Sequence, residues 1–223
     1  TVTDVNEAPS VALSGTTTSL AEDADTTSRT KVADIDVTDD ALGTETLSLS
    51  GTDAALFEIF DGDLYLLAGA SLDFEANGTL DVTVSVDDAA IPGSPDDSAS
   101  LQIAVTDVNE APVLTVTSPG VSVAENGTAV AAGISAADAD AGDTLTYSVE
   151  GTDAALFDIV STTGVLSFKA APNFEAPSDN GGDNVYDITV KVTDSAGASD
   201  SKAVAVTVTD VNEAPSVALS GTT

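Results

Sequence analysis

The stretch TDVNEAP occurs three times in the sequence, at Thr3–Pro9, Thr106–Pro112 and Thr209–Pro215. Successive copies are 103 residues apart, which is a typical size for one domain. A short acidic phrase at this interval indicates a boundary between domains. It predicts two domains, residues 10–112 and 113–215, with residues 1–9 as the linker end of a preceding repeat and residues 216–223 as the start of a third.

A longer identity indicates an array of repeats. The 17 residues TVTDVNEAPSVALSGTT at positions 1–17 recur unchanged at positions 207–223, an offset of 206 residues. Self-similarity at a fixed period is the sequence signature of repeat architectures. We therefore expect the chain to be a piece of a longer protein that repeats this pair of domains.

Strand patterns dominate both repeats. LDVTVSVDD at residues 80–88 and YDITVKVTD at residues 186–194 alternate apolar and polar residues and are rich in Val, Ile and Thr. Gly, Asp, Asn and Pro separate such runs. About seven short strands per repeat predict an all-β protein of two tandem Greek-key β-sandwich domains with an immunoglobulin-like shape. The shared phrase GTDAALF, at Gly51–Phe57 and Gly151–Phe157, suggests one helical turn.

The aromatic residues fit a packed interior. Phe57, Phe157, Phe168, Tyr147 and Tyr186 lie on alternating strands or beside apolar neighbours, which is typical of core positions. Phe60 and Tyr65, in FDGDLYL, are the modest candidates for stacking against a sugar, but core packing is favoured for both.

The charge balance excludes several function classes. Five basic residues accompany 38 acidic ones, for a net charge of −33. Nucleic acid binding needs clustered Lys and Arg, and anionic membranes attract the same residues, so neither is an expected partner. Cys and His are absent, which removes Ser-His and Cys-His catalysis and thiolate metal sites. We expect no enzyme activity and no catalytic residues.

The acidic residues fall in phrases at or near strand ends. Examples are DVNE at residues 107–110, DADAGD at residues 138–143 and LDFE at residues 72–75. Each phrase alone is typical of a solvated turn. If they converge, two carboxylates 4 Å apart repel by roughly 4 kcal/mol at an effective dielectric constant of 20. A hard cation with oxygen ligands would relieve this repulsion, and Ca²⁺ suits such ligands better than Mg²⁺ or Zn²⁺.

These phrases resemble those of cadherin repeats, and more closely the cadherin-like tandem repeats of large bacterial secreted or surface adhesins. DVNEAP resembles the cadherin linker D-x-N-D-N-A-P, and Asp73-Phe74-Glu75 resembles D-R-E. The resemblance covers nearly the whole chain twice and implies calcium at each domain junction, which stiffens an elongated array. The ligands it marks are Glu22, Asp73, Glu75, Asp107, Asn109, Glu110, Asp138, Asp140 and Asp194. A second set comprises Asp4, Asn6, Asp36, Asp39, Asp40, Asp88, Glu125, Glu175, Asp210 and Asn212, with Asp87 as an alternative to Asp88.

The sequence departs from the family pattern at several positions. The linker is one residue shorter, Glu110 stands where Asp is typical, and Asn173 replaces an aspartate. The arginine of D-R-E is Phe74 or Phe174, which is expected to reach the core. These departures favour one or two ions per junction rather than three.

The leading functional hypothesis is a calcium-rigidified extender and adhesion module of a bacterial cell-surface or secreted protein, located outside the cell. Its partners are calcium, the neighbouring repeats and, in one alternative, another cell surface. A second hypothesis is a calcium-dependent polysaccharide-binding module. Homophilic adhesion by exchange of an opening-strand Trp is disfavoured, because the sequence has no Trp. No apolar run is long enough for direct membrane insertion.

Overall fold

The computed structural model describes residues 4–215, so the predicted start of a third repeat at residues 216–223 lies outside the described residues. The chain divides into two compact units, of which unit 1 ends at Val108 and unit 2 begins at Asn109. Each unit is a β-sandwich, which confirms the predicted all-β fold class. No helix among residues 4–215 is long and apolar enough to cross a membrane.

Unit 1 contains eight strands in two four-stranded sheets. One sheet has the order β1-β3-β6-β5 and the other the order β2-β8-β7-β4. The chain passes between the two sheets after β1, β2, β3, β4 and β6, which gives Greek-key connections. The strands are β1 (Ser10–Ser14), β2 (Ser19–Ala21), β3 (Thr30–Thr38), β4 (Glu45–Ser50), β5 (Phe57–Phe60), β6 (Asp63–Leu66), β7 (Thr79–Asp88) and β8 (Asp97–Thr106).

Unit 2 repeats this plan with one difference. Its larger sheet has the order β10-β17-β16-β13, and the opposite side consists of β11-β15-β14 and β12-β9. The counterpart of β3 is split, because Gly133 adopts a positive φ of 64° between β11 and β12. The strands are β9 (Val113–Val116), β10 (Gly120–Ala124), β11 (Ala129–Val130), β12 (Ile134–Ala137), β13 (Thr146–Glu150), β14 (Phe157–Ile159), β15 (Leu166–Phe168), β16 (Val185–Thr193) and β17 (Ser199–Thr209).

Each unit has its own core, formed by the inward-facing residues of both sheets. In unit 2 the rings of Phe157, Phe168 and Tyr186 pack together, with centroids 4.3–6.0 Å apart. The GTDAALF phrase forms the predicted helical turn in both units, as 3-10 turns at Ala54–Leu56 and Ala154–Leu156. The buried positions of Phe57, Phe157, Phe168, Tyr147 and Tyr186 confirm their assignment to the core.

Three expectations about aromatic residues are wrong. Core packing was favoured for Phe60, but alternation along β5 places Ile59 inside and Phe60 outside, where it is 49% exposed. Tyr65 likewise lies between the buried Leu64 and Leu66 and therefore faces outward. Phe74 is also exposed rather than packed in the core, whereas Phe174 packs against the core of unit 2.

Candidate metal centres

The first acidic group lies in unit 1, where β2 ends beside β8. Carboxylate oxygens of Glu22, Asp73 and Glu75 lie within 4.8 Å of one another, and those of Glu75 and Asp107 do so as well. Glu22 is oriented by the backbone, because it accepts hydrogen bonds from the N–H of Phe74 at 2.9 Å and of Val108 at 2.7 Å. We call these four residues the Glu22 cluster.

Unit 2 has the same arrangement, the Glu125 cluster, in which oxygens of Glu125, Glu175 and Asp210 lie within 4.8 Å of one another. Glu125 accepts hydrogen bonds from the N–H groups of Phe174 and Val211, both at 2.9 Å. These bonds lower the pKa of Glu125, and the bond from Phe174 has the larger effect. Glu125, which is only 3% exposed, therefore stays ionised. A buried carboxylate held ionised is a ready ligand for a cation.

Asn173 fits the loop that Asp73 forms in unit 1. Asp73 accepts a hydrogen bond from the N–H of Ala76 at 2.8 Å, and Asn173 accepts one from Ala176 at 2.9 Å. The amide oxygen thus performs the same structural role as the carboxylate. The replacement removes one negative charge from the Glu125 cluster.

A different group occupies the opposite end of unit 2, where β12 and β16 end. Oxygens of Asp138, Asp143 and Asp194 lie within 4.8 Å of one another. The linker contributes Asn109, whose amide donates to Asp194 at 3.0 Å, and Glu110, whose N–H donates to Asp140 at 2.9 Å. We call the residues Asn109, Asp138, Asp140, Asp143 and Asp194 the Asn109 cluster.

Asp194 organises the turn that follows β16. It is 6% exposed and accepts hydrogen bonds from the N–H groups of Gly197 and Ala198. The hydrogen bond from Asn109, together with these backbone bonds, lowers the pKa of Asp194. Asn109 thereby fastens the linker to a carboxylate that stays charged at neutral pH.

Several oxygens of this cluster are buried yet accept no hydrogen bond from residues 4–215. They are Oδ2 of Asp138, Oδ1 of Asp140 and Oδ2 of Asp143. Buried polar atoms in native proteins are almost always satisfied, because an unsatisfied one costs about 1–3 kcal/mol. Three such oxygens in one short loop are suited to a cation.

Unit 1 repeats the pattern at the corresponding end. Asn6 donates to Asp88 at 2.6 Å, and the N–H of Glu7 donates to Asp40 at 3.0 Å. Asp88 is 1% exposed, and hydrogen bonds from Ala90, Asn6 and Thr44 lower its pKa. Buried oxygens of Asn6 and Asp39 accept no hydrogen bond from the described chain. We call Asn6, Asp39, Asp40 and Asp88 the Asn6 cluster.

The remaining predicted ligands, Asp36, Asp4 and Asn212, belong to none of the four clusters. Asp36 lies on β3, where it accepts a hydrogen bond from the hydroxyl of Ser14 at 2.6 Å. Asp4 and Asn212 are exposed near the two ends of the described chain. Asp143 belongs to the Asn109 cluster although the family resemblance marks only Asp138 and Asp140 in this phrase. Asp143 is the third acidic residue of DADAGD, so the sequence phrase itself indicated it as a ligand.

The donor set fits a hard divalent cation. Each cluster offers carboxylate oxygens, and two also contain an asparagine, with no His or Cys among the described residues. Ca²⁺ accepts six to eight oxygen ligands in flexible geometry, whereas Mg²⁺ requires a tighter octahedron and Zn²⁺ prefers His and Cys. The residues present therefore fit calcium.

Comparisons with known proteins agree with this fold. Residues 109–207 match a family model described as a bacterial Ig domain. The chain is similar to the cis-dimer structure of protocadherin gammaB7 EC3-6, at 24% identity and a TM-score of 0.64 over 92% of this chain and 51% of that chain. It is also similar to mouse cadherin-23 EC22-24, at 25% identity and a TM-score of 0.60 over 92% of this chain and 65% of that chain.

A two-domain structure matches over its whole length. The similarity to human protocadherin-24 EC1-2 has 23% identity and a TM-score of 0.61, over 93% of this chain and 100% of that chain. No curated protein matches the sequence. Both units thus have the fold of cadherin extracellular repeats, which confirms the cadherin-like resemblance.

Proposed function

We propose that this chain is a calcium-binding extender module of a bacterial surface or secreted protein, in which calcium bound at the domain junction restricts the hinge. The observation that carries the proposal is the Asn109 cluster, where buried oxygens of Asp138, Asp140 and Asp143 accept no hydrogen bond from the described chain. A cation supplies what those oxygens lack.

Charge supports the same conclusion. Oxygens of Asp138, Asp143 and Asp194 converge within 4.8 Å, and Asp194 keeps a lowered pKa. Protonation of Asp194 at neutral pH therefore does not relieve the repulsion. Unit 2 has three basic residues, and the ion pairs of Lys169, Lys191 and Lys202 are with Asp158, Glu150 and Asp200, which belong to none of the clusters. A divalent cation is the remaining source of positive charge.

The junction follows from the order of residues along the chain. The Glu22 cluster ends with Asp107 and the Asn109 cluster begins two residues later, with Val108 between them. Pro112 restricts Ala111 to an extended conformation, which limits the freedom of the linker further. We infer that one or two calcium ions share ligands from both clusters, so that binding couples the two units.

The Asn6 cluster of unit 1 and the Glu125 cluster of unit 2 would form equivalent sites with neighbouring repeats. The Asn6 cluster has the same linker contacts as the Asn109 cluster, and the Glu125 cluster has the same backbone contacts as the Glu22 cluster. In an array each would be completed by a neighbouring repeat. Extracellular modules bind Ca²⁺ with dissociation constants of roughly 10⁻⁴–10⁻³ M, so such an array would be stiff outside the cell and slack where calcium is scarce.

Calorimetric calcium titration of two variants tests the proposal. Asp107→Ala removes a ligand on unit 1, and Asp138→Asn removes a charge on unit 2. We expect each to weaken binding at the junction at least tenfold, because each removes a carboxylate from a shared site.

Asp158→Asn is the matched control, since Asp158 is exposed on β14 and belongs to none of the clusters. Its isotherm should equal that of the unaltered chain. If Asp138→Asn alone weakens binding, the site belongs to unit 2 and is not shared. Unchanged isotherms for both cluster variants would refute the calcium site.

A further inference from the structure

The loop that precedes β16 in unit 2 is longer than its counterpart in unit 1. Nine residues, 176–184, separate the NFE phrase from β16, whereas three residues, 76–78, separate the DFE phrase from β7. The longer loop contains the exposed sequence Asn180-Gly181-Gly182. We call residues 176–184 the Asn180 loop.

Hydrogen bonds hold the Asn180 loop on both sides of its tip. Asp179, which is 7% exposed, accepts from the N–H groups of Asp183 and Asn184, both at 3.1 Å. The N–H of Asn180 donates to the carboxylate of Asp153 at 2.8 Å. The loop is therefore ordered at its base, while its tip is open to water.

The tip contains one of three Asn-Gly pairs in the sequence, the others being Asn77-Gly78 and Asn126-Gly127. Asparagine is a thermally labile residue, and a following glycine increases this lability. Glycine has no Cβ to keep its nitrogen away from the asparagine side chain, and it reaches backbone conformations that other residues avoid. The reaction requires a side chain that can turn toward the next residue and a glycine N–H that is not engaged elsewhere.

Two of the three pairs do not meet these requirements. Nδ2 of Asn77 donates to Asp53 at 2.8 Å. Nδ2 of Asn126 donates to Glu213 at 3.3 Å, and the N–H of Gly127 donates to a backbone carbonyl at 3.2 Å. Each of these side chains must first break a hydrogen bond to a carboxylate, so both pairs are protected in the folded chain.

The third pair meets both requirements. Within residues 4–215, the side chain of Asn180 makes no hydrogen bond, and the N–H of Gly181 makes none either. Both residues are exposed. Gly182, which follows, has a φ of 67°, so the tip consists of residues with the freedom to rearrange. The reacting side chain and the reacting nitrogen are thus both free at this pair.

We propose that Asn180 is a site of spontaneous deamidation, where asparagine is converted into a mixture of aspartate and isoaspartate. The nitrogen of Gly181 attacks Cγ of Asn180 and closes a five-membered succinimide, while Nδ2 leaves as ammonia with the proton of the Gly181 N–H. Water then adds to one of the two imide carbonyl carbons. Breaking the bond from nitrogen to Cγ gives aspartate. Breaking the bond from nitrogen to the main-chain carbonyl carbon gives isoaspartate, in which the chain runs through Cβ and Cγ.

The modification changes the charge of the tip without removing its anchor. A neutral amide becomes a carboxylate next to Gly181, where oxygens of Asp179 and Asp183 already lie. The N–H of Asn180 takes no part in the reaction, so its bond to Asp153 is retained and we expect unit 2 to stay folded. This site goes beyond the calcium-binding extender module, because the Asn180 loop contributes no residue to the four clusters.

Ageing of the folded chain in ¹⁸O-labelled water at mildly alkaline pH tests the proposal. Each event takes up one oxygen atom from the solvent, so mass spectrometry of the digested chain shows which asparagines reacted before digestion in ordinary water. We expect the Asn180 peptide to acquire label roughly tenfold faster than the peptides of Asn77 and Asn126, whose hydrogen bonds to carboxylates must open first. Electron-transfer fragmentation should identify isoaspartate in the Asn180 peptide.

The same incubation in urea is the control, because unfolding removes the hydrogen bonds and should bring the three rates close together. Asn180→Gln should abolish most labelling of the chain by a protein isoaspartate methyltransferase, since the larger ring that glutamine would form closes more slowly. Its melting temperature should match that of the unaltered chain, because the side chain is exposed. The proposal is overturned if Asn77 or Asn126 reacts as fast as Asn180 in the folded chain, or if Asn180 reacts only in urea.

Discussion

At the scale of the residue, backbone N–H groups decide which acidic residues become ligands. Glu22 and Glu125 each accept two such bonds, which fix their carboxylates at the edge of a cluster. The sequence marked both, through SLAED and SVAEN. It could not show that oxygens of Asp138, Asp140 and Asp143 lack donors, because that depends on where the surrounding backbone points after folding.

A second pair of carboxylates has a structural role that the sequence reasoning missed. Asp97 on β8 accepts a hydrogen bond from the N–H of Val11 on β1, at 2.8 Å, and Asp200 accepts one from Leu114 at 2.9 Å. Each bond ties the first strand of a unit to the opposite sheet. The signal was present, because Asp97-Ser98 recurs 103 residues later as Asp200-Ser201.

These bonds predict a particular acid sensitivity. The bonds from Val11 and Leu114 lower the pKa of Asp97 and Asp200 in the folded protein. A lowered folded-state pKa stabilises the protein above the unfolded value, near pH 4, and this stabilisation is lost as the pH falls through the folded value. The Asp97→Asn/Asp200→Asn variant should lose a few degrees of melting temperature at pH 7 and depend less on pH below 4.

Thermal melts followed by circular dichroism in EGTA, from pH 7 to pH 2, would measure this. EGTA removes the contribution of bound calcium. The Asp158→Asn variant is the control, since that carboxylate is exposed. Equal pH dependence of the double variant and the unaltered chain would show that these bonds do not contribute.

At the scale of the element, the strands were predictable and the interruption of one was not. Alternating Val, Ile and Thr indicated the long strands β7, β8, β16 and β17. The two-layer sandwich of each unit followed from that pattern. The same reasoning did not place Phe60 outside, because a four-residue strand next to a two-residue turn leaves its register open until its partner is known.

Gly133 is the residue that divides the counterpart of β3 in unit 2. Its φ of 64° is unfavourable for other residues, and an added Cβ would contact the side chain of Thr117. Gly133→Ala should therefore lower the free energy of unfolding by about 1–2 kcal/mol. Gly120→Ala is the matched control, since its φ is not positive and an added Cβ meets no atom within 4 Å. Urea denaturation of both variants measures the difference, and equal stabilities would contradict this role for Gly133.

At the scale of the whole molecule, the sequence showed the repeat. It did not show which acidic residues form a cluster at each end of a unit. The 103-residue spacing of TDVNEAP indicated two domains, and the chain divides at Val108 and Asn109, within the second copy of that phrase. Each unit has one cluster built on a glutamate that accepts two backbone hydrogen bonds and one built on a linker asparagine. The proposed junction joins one of each kind.

The most direct test of this account is a distance distribution between the units with and without calcium. The sequence has no cysteine, so Ser48→Cys on β4 and Ser201→Cys on β17 can carry spin labels at exposed positions without competing thiols. Double electron–electron resonance should give a narrow distribution in millimolar calcium and a broad one in EGTA. The Asp107→Ala background should remain broad in both. Equal widths in calcium and EGTA for the labelled chain would contradict the calcium-restricted hinge.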